Sequence, residues 1–201
     1  MTSTAFHSLH NEEVTLDITS EHQSHKETVL CRGSVTCTVR AHTVREGQTL
    51  HVSLLAVWWP QDQIKVIVDW NTALPHSQVH IHCVALIGNE ATVHIEWWIT
   101  IPEWVNGVNW TLMEENIILW KRCTLYTLPM LDVQSNDVQA SHWATVHSLD
   151  PYKMFYLQSR GIDAWTSQSI LIWGHITTIL GEGDGHEHYR ALAYEYALKS
   201  L

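Results

Sequence analysis

The sequence predicts a mainly β domain of short, evenly spaced strands, built either as stacked coils or as a sandwich and closed by a C-terminal helical segment. Three observations carry this. Apolar runs opening at Leu50, Ile64, Val79 and Val93 begin roughly every 14–15 residues. Turn chemistry separates the runs, at Glu46-Gly47, Pro60-Gln61-Asp62, Leu74-Pro75-His76, Gly88-Asn89 and Asn106-Gly107. No helical period intervenes until Asp150-Pro151, after which capping residues recur.

Taken in order, residues 1–27 are polar and histidine-rich, with one short alternation at Val14, Leu16 and Ile18, and read as an edge strand behind a mobile terminus. The core is expected over 28–150, with strands at Val29–Val39, Thr49–Val57, Ile64–Val68, Val79–Cys83, Val93–Ile99 and Ile117–Leu119. From Val138 to Val146 the alternation is strict: Val138, Ala140, His142, Ala144 and Val146 share one face. That sets a histidine in an apolar row, where an unpaired imidazole costs about 1–3 kcal/mol. Asp150 is a good N-cap and Pro151 suits the first helical position, so Tyr152–Ser159 should be a short helix stopped at Gly161. Asp163 can cap a helix over Ala164–Leu180 ended by Gly181, and His186–Leu201 reads as a last helix after an acidic linker. These last stretches make 151–201 a helical segment.

Composition narrows the function. The 201 residues hold 11 Lys plus Arg against 21 Asp plus Glu, formally −10, without a basic cluster, which disfavours nucleic acid and anionic membrane as partners. No apolar run approaches a membrane span, and the first residues have neither a basic nor an apolar signal region, so a cytoplasmic chain is expected. Cys31, Cys37, Cys83 and Cys123 lack C-x-x-C spacing. There is no G-x-x-x-x-G-K-[ST], G-x-S-x-G or H-E-x-x-H, which points away from a nucleotide site in this chain and from a freestanding enzyme.

Between Thr127 and Gly161 the fragments P-x-L-x-V, N-D-V-x-A-S-H-x-A-T-V, L-D and F-Y-L-x-S-R-G-I follow one another in fixed order. Together they resemble the C-terminal core of the SufB/SufD family, scaffold proteins of iron–sulfur cluster assembly, most closely over 114–180. The resemblance implies a right-handed parallel β-helix with a C-terminal α-helical segment. The chain departs from the family pattern where Trp143 and His147 replace glycines of S-H-G-A-T-V-G, and where Trp120 follows Leu119. An indole cannot occupy the space of a hydrogen or readily take positive φ, so those close approaches would have to be rebuilt.

The same resemblance implies that His142 matches a histidine used at the interface between two β-helices, where a nascent cluster forms. That makes His142 the tentative metal ligand, although clusters are usually held by several thiolates. Glu114 falls where SufB-type members carry a sulfur-receiving cysteine, so the chain looks SufD-like. A carboxylate cannot take up persulfide sulfur; it can ligate iron. On its own, Glu114-Glu115 reads as a solvated pair at a turn. Cys123 matches a cysteine of some SufB-type members and otherwise reads as a buried, inert thiol. The helical end is implied to dock a SufC-type ATPase, with Phe155, Tyr156, Arg160, Ile172 and Ile176 as the docking residues; locally, Arg160 can bond the last carbonyls of the helix before it. The implied partners are that ATPase and a SufB-type chain or a second copy, with a transient iron–sulfur cluster as cargo.

Two other classes are open: a purely structural self-associating β-helix, and a carbohydrate-active β-helix enzyme using Trp58, Trp59, Trp97 and Trp98 as stacking aromatics. His80 and His82, with His94 on a neighbouring coil, could chelate a divalent metal, and His186-Glu187-His188 could bind one loosely.

Overall fold

The computed structural model describes residues 2–58, 62–72, 74–120, 122–181 and 186–199. Among them run eleven strands: β1 (Thr2–His10), β2 (Glu13–Ile18), β3 (Ser24–Arg32), β4 (Val35–His42), β5 (Thr49–Val57), β6 (Gln63–Thr72), β7 (Gln78–Ile87), β8 (Thr92–Ile101), β9 (Val108–Ile118), β10 (Thr124–Val133) and β11 (Val138–Ser148). Three helices follow, α1 (Pro151–Ser159), α2 (Ala164–Leu180) and α3 (Glu187–Leu198). Odd-numbered strands form one parallel sheet, β1-β3-β5-β7-β9-β11, and even-numbered strands a second, β10-β8-β6-β4-β2. Each coil gives one strand to each sheet, which is a parallel β-helix.

Parallel in-register pairing stacks like on like. Leu50, Val79, Trp110 and Ala140 form one inward file, Val52, Ile81, Leu112 and His142 the next, and Leu54, Cys83, Glu114 and Ala144 the one after. On the facing sheet Val39, Val68, Trp97 and Pro129 line up. Because side chains alternate in and out along each strand, these files fill the space between the sheets with a continuous apolar core. Trp58, Trp70, Trp97 and Trp110 are fully buried in it.

The corners explain where the expected strands change. Val29–Val39, read as one strand, is two: Gly33, at φ 75°, turns the chain from β3 into β4 in the other sheet. The alternation runs straight across the corner, so hydropathy does not mark it. Residues 1–27 hold β1, β2 and the start of β3, the first coil of the solenoid. Leu9, Val14, Leu16 and Ile18 face the core, and the polar inward side chains pair among themselves: His7 and His25 both pair with the buried Glu27, and Ser3 bonds the other nitrogen of His25. β10 was not expected as a strand at all, and β9 is much longer than Ile117–Leu119.

A second, smaller core lies on the outer face of the odd sheet, where Leu30, Leu55, Val57, Val84, Leu86 and Ile117 are covered by α2 and α3. Asp163 caps α2, accepting from the Thr166 N–H at 3.0 Å, and Asp150 caps α1. By contrast α1 buries none of its side chains. No helix among the described residues is long and apolar enough to cross a membrane.

Candidate functional site at the last coil

β10 and β11 are edge strands, so the last coil offers two unpaired backbone edges and an inward row that no further coil covers among the described residues. Leu131 and Val133 on β10 and Val146 on β11 are exposed there. His142 points into this row, flanked by Ala140 and Ala144 as the alternation requires. It is half-buried, its Nε2 is shielded from solvent, and that nitrogen has no hydrogen-bond partner. Burial lowers its pKa below the usual 6.5, with the Glu114 charge opposing.

Glu114 lies beneath Ala144 in the inward file and is 0 % exposed. It is no turn residue: it sits in mid-β9, and the file Val108, Trp110, Leu112, Glu114 was legible as an alternation that turned polar at its end. Its carboxylate is well held. Trp97 Nε1 donates to Oε2 at 2.7 Å, Thr127 Oγ1 to the same oxygen at 3.0 Å, and Asn116 Nδ2 to Oε1 at 2.7 Å. The Oδ1 of buried Asn116 is left without a partner. Sequence reasoning missed Trp97, Asn116 and Thr127, which reach Glu114 from three different strands. Glu115, its neighbour, faces outward.

Cysteine chemistry is quiet around this end. Cys83, paired in register with Glu114, has its thiol pKa raised well above the ordinary value by burial and by the Glu114 charge. Cys123, which packs against the core before β10, donates to the Trp120 carbonyl at 3.6 Å and is also raised by burial. Neither is an activated thiolate. The donor set of the last coil is therefore one bare imidazole nitrogen with oxygen groups behind it. A cluster as cargo would need further ligands from a second chain.

The tryptophans that replace small residues fit without strain. Trp143 faces outward and is 48 % exposed, Trp120 is likewise exposed, and neither has positive φ.

Among the expected docking residues the structure separates two groups. Phe155 and Tyr156 are exposed, at 72 % and 59 %; the Arg160 backbone N–H donates to the Leu157 carbonyl at 3.1 Å at the helix end, and its guanidinium lies 5.4 Å from the Tyr156 ring centre, a cation–π contact. Ile172 and Ile176 are fully buried against the odd sheet, so they serve the helix–sheet core and are not on the surface.

The remaining candidates come apart. His80 stacks on His51, while His94 stands on the other sheet and bonds Glu96 at 2.6 Å. His186 bonds the Leu180 carbonyl at 2.7 Å. Among the described residues no three His, Cys, Asp or Glu side chains are arranged to hold a metal ion. Trp58 and Trp97 are core residues and cannot stack sugars, Trp98 is exposed, and Trp59 lies outside the described residues.

Comparison with known proteins bears on the same architecture. The family model for the SufBD core domain of SUF-system FeS cluster assembly matches residues 2–175. The iron-sulfur cluster assembly protein SufD of Escherichia coli is 25 % identical over 135 residues, covering 64 % of this chain and 30 % of that protein. SufD of Bacillus subtilis is 35 % identical over 54 residues, 27 % of this chain and 12 % of the relative. An iron-sulfur cluster assembly SufBD family protein of Synechocystis is 28 % identical over 74 residues, 37 % of this chain and 16 % of its own length. The chain thus spans less than a third of each of these three relatives.

Proposed function

Since the chain belongs to the SufBD core family of iron–sulfur cluster assembly, we propose that it is a SufD-like, non-catalytic scaffold subunit working in the cytoplasm. It pairs through its last coil with a SufB-type chain or a second copy, and it recruits a SufC-type ATPase through its helices. The observation that carries this reading is His142: a shielded imidazole nitrogen with no partner, in the inward row of a coil whose two edges are unpaired. A buried polar atom without a partner is costly, and a partner chain or a metal ion would satisfy it. The activated cysteine needed to accept sulfur is missing from this end, which supports a holding role in which SufB-type ligands complete the site.

Docking of the ATPase is assigned to the exposed aromatic face of α1, with Phe155, Tyr156 and Arg160 as its centre. ATP-driven movement of that subunit would be transmitted through the helices to the pairing at the last coil.

The test is anaerobic co-purification with a SufC-type ATPase and a SufB-type chain, comparing wild type with His142→Ala by iron and sulfide analysis. The expected result is a stable complex whose iron content falls with the substitution. An unchanged iron content would reduce His142 to a structural residue, and failure to form any complex would overturn the scaffold reading.

A further inference from the structure

On the outer face of the odd sheet, opposite to His142, four ionisable side chains from four elements converge where α2 meets the last coil. Glu115 on β9 is the hub. It pairs in register with Val84 on β7 and Thr145 on β11, so His82 and His147, each two residues away along those strands, flank it on opposite diagonals. From above, α2 brings His175, whose Nδ1 lies 3.7 Å from Glu115 Oε2. His147 Nε2 lies 4.0 Å from Oε1. We propose that Glu115, His147 and His175 form an acid-sensitive latch that sets how firmly α2 is seated on the solenoid.

The tautomer of His147 supplies the chemistry. Its Nδ1 is 2.9 Å from the Ser148 carbonyl, which can only accept, so Nδ1 carries the proton. The neutral ring therefore turns a bare Nε2 toward the carboxylate and makes no bond with it. Protonation of the largely buried His175 adds a cation beside Lys153 of α1, with His147 on the far side of Glu115 and the half-buried His82, whose Nε2 has no partner, on the opposite diagonal. One carboxylate cannot balance that set. Burial is the leading cause that lowers the pKa of both His175 and His82. For His175 the His147 and Lys153 charges add to it, and for both Glu115 opposes.

The sign follows from linkage. With folded pKa values below the ordinary 6.5, the undocked helix binds more protons than the docked one, so docking weakens as pH falls below about 6.5 and levels off under the folded pKa. At neutral pH the apolar contacts of Ile172, Ile176 and Ile179 hold α2 in place. Acidification loosens α2, and with it the α1 platform packed against it, while the coils stay folded.

The experiment is amide hydrogen exchange on the purified chain at pH 7.5 and 5.5, corrected for intrinsic rates. Because the undocked helix binds more protons than the docked one, α2 should lose protection between the two pH values while β5 and β7 keep theirs. In His175→Gln this loss should shrink to less than half, and in Glu115→Gln, which removes the charge that holds the His175 pKa up, it should grow and continue to lower pH. Equal pH dependence in wild type and both variants would overturn the latch, as would equal loss of protection in α2 and in the strands. No partner protein enters the measurement, so its failure would leave the scaffold reading standing, and failure of that reading would leave the latch.

Discussion

Each oxygen of Glu114 has its own donor, and this decides which substitutions the last coil tolerates. Removing the carboxylate strands the buried Trp97 and Asn116 donors and takes the acceptor from the half-buried Thr127 hydroxyl. At about 1–3 kcal/mol for each buried group left unpaired, Glu114→Ala should cost about 3 kcal/mol or more. Glu114→Gln should be far milder, about 1 kcal/mol, since its oxygen can keep Trp97 and Thr127 while its NH2 meets a flipped Asn116 amide, whose Oδ1 is now without a partner. Urea denaturation of both variants checks the contrast. The buried tryptophans give a second one. Trp97 has a partner for its indole N–H, whereas Trp58, Trp70 and Trp110 do not. Trp97→Phe should therefore destabilise by about 1–3 kcal/mol, while Trp110→Phe, which deletes an unsatisfied donor, should cost less despite equal burial. Equal losses in the two variants would show that volume, and not hydrogen bonding, dominates these sites.

At the scale of elements, α1 and α2 have opposite duties although they adjoin. α2 spends its apolar face on the sheet, and Ile176 is fully buried there, so Ile176→Ala should cost about 2–5 kcal/mol in thermal or chemical unfolding. α1 has no buried residue, so Phe155→Ser should leave stability within about 0.5 kcal/mol and, under the proposed docking role, weaken capture of a SufC-type ATPase in a pull-down. If Phe155→Ser instead lowered stability as much as Ile176→Ala, α1 would be part of the core and its docking role would fall.

For the whole molecule, acid should act through histidines first. Burial is the leading cause lowering the pKa of His51, His82, His142 and His175 from 6.5. The unfolded chain then takes up more protons than the folded one, so stability is complete above about pH 6.5 and declines below it. Glu96, Asp163 and Glu195, whose pKa values are lowered chiefly by hydrogen bonds, keep their contribution until more acidic pH. Unfolding followed from pH 8 to 5 should show the midpoint falling in that window, with a flat profile from 8 to 7. A midpoint that stays level down to pH 5 would contradict the assignment of these imidazoles as neutral.

What depends on neighbours along the chain was legible before folding. Alternation placed Val138, Ala140, His142, Ala144 and Val146 on one face, and the caps Asp150 and Asp163 with the stops Gly161 and Gly181 bounded α1 and α2, because period and capping are local physics. The order of fragments from Thr127 to Gly161 also carried the family. Tertiary structure alone decided the rest. Gly33 sends β3 and β4 to different sheets although their alternation is continuous, and Glu114, which looked like half of a solvated pair, became a buried carboxylate because Trp97 and Thr127 arrive from the facing sheet. Ile172 and Ile176 changed from docking residues to core for the same reason: which face of a helix meets solvent depends on what covers it. Contacts between stacked coils link residues about thirty apart, as in Cys83 beside Glu114 and Glu114 beside Ala144, and no local pattern encodes a partner at that distance.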